Sequence, residues 1–560
     1  MKKSLLIFVL VVYFNFLNAQ SWIWAKSSSG TGGGSKAQSG YAATTDSVGN
    51  VYAAGFFNTK TITFGSITLN NSDSTFYDFF LVKYDGNGNV IWARSGGGAQ
   101  GNDEIYNIKT DRNGNIYITG FFESSVMSIG TFTFANTAST KSFIAKYDSN
   151  GNVLWVKKPI GFGNDRSESI AIDAAGNSYI TGYYSGTVNF GTSNLTSSAL
   201  FDFYLVKYDV NGNTVWSKSG SGPSMEEGIS IECDIHGDLI VTGRFQGDSA
   251  VFDTETLISN NPGYNQLFIV KYDANGNIIW AKRPISPIVT THAHFGYGVT
   301  SDKTGAIYVT GALQSPTMSF GAITLTNSST SGFWDFFIFK FDGNGNPLWG
   351  HRAGSSASDD NGYNACVDIY GNVTVVGAYR GGSISFGSTT LTYPAGPGNE
   401  PMFIATYDST GNPLYASRLS FGGNNQTAVT TDKFGNLFVV SDFKGNAFSV
   451  GTTTLSSVSQ QGNIFTAKYS IPVTTVDLKL NENNDIIKIF PNPTNGNLEL
   501  KGFEKQTIEI YDVNGQVVFK KEISSDINHL DVRNLANGIY FISTKNSTHS
   551  TYQKLIIAHD

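Results

Sequence analysis

The chain has 560 residues, 37 of them basic and 44 acidic, for a formal net charge of −7. No basic cluster is present that would track a phosphate backbone, so no nucleic-acid partner is expected. Glycine at 62 positions suits a β chain rich in turns, and apart from an N-terminal apolar run no stretch has helical periodicity.

That apolar run comes first. Lys2 and Lys3 precede Leu5 to Leu17, the pattern of a secretory signal over residues 1–19, cut after Ala19 to leave Gln20 at the front. The alternative is an anchor that is never cut. The run is too short to span a bilayer and no other stretch is long enough, so no transmembrane segment is expected after signal removal. No cysteine follows the cleavage site, which argues against a lipid anchor. Next stands a short strand with no partner nearby in sequence, Ser21-Trp22-Ile23-Trp24-Ala25-Lys26.

From there to Ser470 one phrase recurs. Phe-Leu-Val-Lys-Tyr-Asp-x-Asn-Gly-Asn-x-x-Trp, or a close variant, centres on Tyr84, Tyr147, Tyr208, Tyr272, Phe341, Tyr407 and Tyr469, at intervals of 61 to 69 residues. A second phrase, Asp-x-x-Gly-Asn-x-Tyr-x-x-Gly, keeps step with it, led by Asp46, Asp111, Asp173, Asp234, Asp302, Asp368 and Asp432. Asn-Gly between β-branched and aromatic runs predicts a tight hairpin, because both residues tolerate positive φ. Each repeat therefore reads as four strands, A to D, with tight A–B and C–D turns and a longer B–C segment that carries a Phe-Gly pair.

The ends of the array predict a closed ring. Strand D carries Trp92, Trp155, Trp216, Trp280, Trp349 or Tyr415, but the seventh repeat stops at Tyr469-Ser470 without one. The orphan N-terminal strand supplies it if it pairs with Phe465–Tyr469, and closure removes the exposed edges of a linear array. The expected fold is all-β: a seven-bladed β-propeller over residues 20–470, with four-stranded blades and the last blade closed by the N-terminal strand. The near-invariant A–B and C–D turns then share one rim. The variable B–C and D–A connections share the other, which is where binding is expected.

The repeats resemble the seven-bladed β-propeller family known as SBBP repeats. The residues that carry this are the Asp-x-x-Gly-Asn-x-Tyr-x-x-Gly phrase and Asp78-Phe79-Phe80-Leu81-Val82-Lys83-Tyr84-Asp85 with its copies. The chain departs from the family in the B–C segment, where Phe-Gly-x-x-x-Leu replaces a proline-containing stretch. The resemblance implies a shape and no single activity.

Residues 471–485 read as a polar linker and 486–560 as a small C-terminal β-sandwich. Ile489-Phe490-Pro491-Asn492-Pro493, Ile510-Tyr511-Asp512-Val513-Asn514-Gly515, Leu535-Ala536-Asn537-Gly538-Ile539-Tyr540-Phe541 and the closing Tyr552-Gln553-Lys554-Leu555-Ile556-Ile557 resemble the type A C-terminal sorting domain of the Bacteroidetes type IX secretion system. That resemblance implies the type IX machinery as a partner, removal of the domain, and either release or attachment at the outer cell surface. The alternative is an ordinary accessory β-sandwich.

Aligning the repeats on the turn aspartate puts Gln38, Asp103, Asp165, Glu226, His294, Asp360 and Asn424 eight residues upstream, at the entry to strand A, with Glu104, Glu227 and Asp359 beside three of them. Strand A is innermost in a propeller, so these side chains are candidates to ring the channel mouth. There Asp103, Asp165, Glu226 and Asp360 could hold calcium through hard oxygen ligands, or sugar hydroxyls. The alternative is that they cap the strand by accepting from loop amides.

Other signals read more plainly. The Asp-x-Asn-Gly-Asn turns lack the carboxylates of a calcium loop. His292-x-His294 has no third metal ligand in view, and no Gly-x-Ser-x-Gly nucleophile motif occurs. Cys233 and Cys366 fall in non-adjacent repeats and are not expected to pair. Trp334, Tyr264 and the stretch Tyr393-Pro394-Ala395-Gly396-Pro397-Gly398 break the repeat near the B–C segments, as ligand contacts or as loop packing. The expectation is a secreted or surface-attached binding or adhesion propeller for a glycan or protein ligand. The rivals are a polysaccharide lyase or glycoside hydrolase, which would gather its acids in a few repeats, and a structural matrix component.

Overall fold

The computed structural model describes residues 21–31, 37–136, 140–287, 292–392, 401–421, 427–443, 447–451, 453–456, 462–470, 488–490, 494, 497–501, 506–512, 516–523, 527–545 and 550–557. The expected signal, the linker, Asn424 and the stretch 393–398 lie outside the described residues. The regular structure described is all strand. The chain divides into two compact units, 1–472 and 473–560.

Within the larger unit the first repeat sets the pattern. Strand A is Gln38–Thr45, B is Val51–Phe57, C is Asp78–Tyr84 and D is Val90–Gly97, paired antiparallel in that order. The same order recurs in the repeats whose strand A begins at Asp103, Asp165, Glu226, His294 and Asp360. In the last repeat the order runs Thr427–Thr431, Asn436–Phe443, Asn463–Ser470 and then the N-terminal strand Ser21–Ser27. Its register sets Ala25 opposite Ala467 and Ser27 opposite Phe465, so the first described strand completes the last sheet. Strand A of each repeat packs against strand A of the next, and Thr427–Thr431 packs back against Gln38–Thr45.

The repeated phrases are legible as bonds. In the A–B turn, Asp46 Oδ1 accepts the N–H groups of Val48 (3.1 Å) and Asn50 (2.9 Å), while Oδ2 accepts from Asn50 Nδ2 (2.7 Å) and the Tyr52 hydroxyl (3.0 Å). Asp85 and Asn89 do the same for the C–D turn. These are Asx-type turns whose side chains take over backbone bonding.

A second set of bonds joins neighbours. Lys83 Nζ on strand C and Trp92 Nε1 on strand D both donate to Ser149 O, in the C–D turn of the following repeat, at 3.2 and 3.1 Å. Lys146 and Trp155 converge likewise on Val210 O, and Lys340 and Trp349 on Ser409 O. The indole also lies against the turn glycine. A Cβ on Gly88, whose φ is +81°, would sit 2.7 Å from Trp24. The same pair, Lys468 and Trp24, meets on Gly86 O, which joins the last repeat to the first.

The B–C segment holds a feature that the repeat reading treated as an insertion. Thr61–Phe64 and Ile67–Asn70 form a small hairpin through Gly65, whose φ is +58°. Ile62 and Phe64 are buried against Phe80 and its neighbours, so the Phe-Gly pair caps a core. Most apolar clusters span two repeats: Phe79 and Leu81 of the first pack with Ile105, Ile118 and Phe143 of the second. Cys233 and Cys366 are both free and only partly buried.

The smaller unit has a three-stranded sheet (Lys488–Phe490, Asn497–Lys501, Ile527–Asp531) and a four-stranded one (Val517–Ile523, Gln506–Tyr511, Gly538–Lys545, Ser550–Ile557). One buried cluster, with Leu498 and Leu530 from the first and Ile508, Ile510, Ile542 and Leu555 from the second, serves both.

Trp24→Ala removes a buried indole and its bond to Gly86, and is expected to cost about 3–5 kcal/mol in denaturant unfolding of the mature protein. Ile23→Ala, one residue away on the 52% exposed face, is expected to stay within about 0.5 kcal/mol. Equal effects would contradict a packing role for Trp24 between the last sheet and the first.

Candidate functional site

The entry residues of strand A occupy the joints between repeats and do not line the central cavity. Gln38, Asp103, Asp165, Glu226, His294 and Asp360 are all buried. Asp165 accepts from Ser142 N (2.7 Å), Ser142 Oγ (2.6 Å) and Lys141 Nζ (2.9 Å) of the preceding strand C. Asp103 Oδ1 accepts the amides of Glu123 and Ser124, and Asp360 those of Ser355 and Arg380. His294 Nε2 lies 2.6 Å from Ser286 Oγ, and burial pushes that imidazole down to about 3. Gln38 Oε1 accepts from Ser28 Oγ.

Each of these residues is held within its own joint, so the carboxylates are not brought together as a calcium set. Among the described residues no group of three or more His, Cys, Asp or Glu is placed to hold a metal. Asp360 accepts an amide of the D–A connection, Ser355, whereas Asp103 accepts from the segment after strand B and Asp165 from strand C.

Three joints instead pair two acids. Asp78 Oδ1 and Asp103 Oδ2 lie 2.3 and 3.1 Å from the point a Cβ on Gly97 would occupy, and Asp335 and Asp360 sit in the same way around Gly354. Glu226 faces Asp202 at the third joint. Asp103 Oδ2 and both Glu226 oxygens are buried without a hydrogen-bond partner. Burial, with the facing acid adding to it, pushes Asp103 up to about 7 and Asp360 and Glu226 up to about 8.

The cavity is built by a different position on the same strand. Pairing of strands A and B slips once in each of six repeats, leaving Tyr41, Tyr106, Glu168, Ile229, Tyr297 and Tyr363 unpaired. A β-bulge re-aims the extra side chain, and all six line one central cavity of about 720 Å³. Glu227, Phe295 and Asn361, each the second residue of its strand A, line it too, as do Arg244, Asp359, Arg380 and Trp334. These last four belong to strand B or to the D–A and B–C connections, so the cavity mouth meets the variable rim.

The lining combines charged pairs with aromatic rings. Arg244 Nε bonds Glu227 Oε2 at 2.5 Å. Arg166 lies over Phe121 at 3.9 Å and bonds the Tyr106 hydroxyl. Burial raises the Glu168 carboxyl well above its ordinary range, and Glu227 adds to the rise while Arg166 and Arg244 oppose it. Glu104, behind this wall, is pushed by burial up to about 7. Arg244 also lies over the Phe295 ring at 5.1 Å, and from there Phe295 stacks on Tyr297 (5.4 Å), meets Trp334 (5.0 Å), and Tyr297 meets Tyr363 (5.8 Å). Asp359 bonds the Trp334 amide at 3.1 Å and pairs with Arg380 at 3.8 Å. Deeper in the cavity Lys109 and Glu232, two repeats apart, meet at 3.0 Å.

Of the candidates read from sequence, Trp334 reaches the cavity, as do Glu227 and Asp359 beside the entry positions, while Asp103, Asp165, Glu226, His294 and Asp360 do not. Sequence reasoning missed Tyr41, Tyr106, Glu168, Tyr297 and Tyr363. The signal was present five residues before each turn aspartate, where the copies vary among Tyr, Glu, Ile and Thr.

Comparison with known proteins places the two units. Residues 91–120 match the model of a beta-propeller repeat, SBBP, and residues 488–558 match that of the secretion system C-terminal sorting domain. The second match marks a protein handled by type IX secretion, and this one is secreted or attached to the outer cell surface.

Similar proteins include an uncharacterized WD repeat-containing protein of Acanthamoeba polyphaga mimivirus, 26% identical over 374 residues. That match covers 55% of this chain and 26% of the relative. The regulatory protein FlaEY of Caulobacter vibrioides is 23% identical, with 43% and 24% covered. The chain thus spans about a quarter of the length of these relatives. A solved protein of unknown function from Dyadobacter fermentans shares 10% identity over 80% of this chain and 98% of its own, with a TM-score of 0.33. No described helix is long and apolar enough to cross a membrane.

The paired acids set a pH dependence. Their folded values lie above ordinary carboxyl values, so the folded state keeps protons that the unfolded chain releases. The resulting stability is present at low pH and is lost as pH rises through about 7–8. The melting temperature is therefore expected to fall from about pH 5 to about pH 9, and to fall less in the Asp103→Asn/Asp360→Asn double variant. An unchanged slope would contradict the shared protons.

Proposed function

We propose that the larger unit is a seven-bladed β-propeller closed by its N-terminal strand, and that its task outside the cell is binding or adhesion. The smaller unit, read as a β-sandwich, is the sorting address, and the variable rim faces an extracellular glycan or protein. One observation supports this reading above the rest. The repeats use a single bulged position to aim different side chains into one cavity, which opens where the loops vary most.

A second reading is favoured by one feature. Glu168, Glu227, Arg166 and Arg244 gather in the third and fourth repeats, as the acids of a polysaccharide-active enzyme would. The mature protein incubated with polysaccharides separates the two. Binding without new reducing ends or unsaturated products supports the first reading, and product formation that is lost in Glu168→Gln supports the second.

The address is tested in the cell. Deleting residues 488–558 is expected to leave the ring inside the envelope while the intact chain reaches the surface or the medium. Normal arrival of the deletion variant would contradict a sorting role.

A further inference from the structure

The cavity has enough chemistry to say what kind of ligand it takes, given the binding reading on which this rests. Its charges are largely matched before anything enters: Glu227 holds Arg244 at 2.5 Å, Asp359 faces Arg380 at 3.8 Å, and Glu232 holds Lys109 at 3.0 Å. A phosphate, sulfate or carboxylate ligand would have to break one of these pairs to find a cation, and the lining carboxyl outside them, Glu168, is held by burial well above its ordinary range and so offers an ammonium no ready anion. Each such exchange leaves a charge without its partner in a partly desolvated site, which is costly. A purely apolar ligand is no better suited, because it would strip water from those paired groups and return nothing.

What the lining offers is planar polar groups in pairs with ring faces beside them. A carboxylate and a guanidinium held together each keep donor or acceptor positions open at their outer edges. Asn361 and Asn107 add amides to the same lining. Beside them, with the Arg244 guanidinium 5.1 Å over the Phe295 ring, Phe295 and Trp334 lie with ring centroids 5.0 Å apart and an interplanar angle of 41°. Vicinal hydroxyls are neutral, act as both donor and acceptor, and sit on a ring with an apolar C–H face. A cavity of about 720 Å³ also lies within the range that encloses a small ligand.

We infer that the cavity binds the uncharged sugar units of a glycan, with hydroxyls on the Glu227–Arg244 pair and a sugar face against the neighbouring Trp334 ring.

The test uses the purified mature chain and two probe sets, titrated while tryptophan fluorescence and heat are followed. One set is neutral (gluco-, manno-, xylo- and galacto-oligosaccharides) and the other is acidic (oligogalacturonate and alginate oligosaccharides). The expected result is saturable binding of at least one neutral probe, weakened about tenfold or more in Trp334→Ala and in Glu227→Gln. Phe162→Ala, at a position 96% exposed and outside the cavity lining, should leave it unchanged. Because Glu227→Gln also disturbs Arg244, its melting curve is compared with that of the parent, and Asn361→Ala serves as a second, milder cavity variant.

Neutral probes that bind with the parent's affinity in all the cavity variants would overturn the site and leave glycan binding standing. Binding of acidic probes alone would overturn the ligand class. If no sugar binds while a defined protein ligand does, this inference falls and the broader binding reading survives.

Discussion

A backbone carbonyl in each C–D turn holds this architecture in register. Ser149 O accepts at once from Lys83 and Trp92 of the preceding repeat, and the same two-donor joint recurs on Val210 O, Ser409 O and Gly86 O. The joint explains why the Lys-Tyr-Asp-x-Asn-Gly phrase and the strand D tryptophan travel together in sequence. The lysine and the indole need the carbonyl of the next turn, and that turn needs its glycine because a Cβ would strike the indole. Where the joint is incomplete the chain shows it: Lys207 reaches Ala274 O at 3.0 Å, but Trp216 Nε1 has no partner.

With the outer turns locked this way, the inner strands are free to differ. Strand A meets its neighbours through small or polar side chains at its entry and presents its bulged residue to the cavity. The bulge separates two tasks on one strand. The residue three places earlier caps or pairs within the joint, while the bulged residue faces the cavity. Tyrosine in the first, second, fifth and sixth repeats and glutamate in the third can therefore change without disturbing the joints.

The sequence was most informative where physics repeats. The A–B and C–D hairpins, their order and the pairing of Ser21–Ser27 with Phe465–Ser470 follow from turn glycines and from counting strands, and the register bears this out. Side-chain direction on strand A was less legible. Entry polarity at Asp103, Asp165, Glu226 and Asp360 looked like a channel ring. In a strand, however, neighbouring side chains point to opposite faces, and the bulge shifts that alternation once more. Polar residues that recur in nearly every copy belong to the joints for the same reason the tryptophans do. The positions that vary, Tyr106 against Glu168 against Ile229, were the better guide to a cavity. Trp334 was legible because it breaks the repeat. The B–C hairpins were missed because their Phe-Gly turns relieve a short connection without the Asn-Gly signature.

The most direct measurement is a crystal structure of the mature protein grown with a neutral oligosaccharide that binds it. The account predicts a sugar unit inside the central cavity, within hydrogen-bonding distance of Glu227 or Arg244 and against the Trp334 face. A sugar seated on the outer loops, with the cavity holding only solvent, would contradict it.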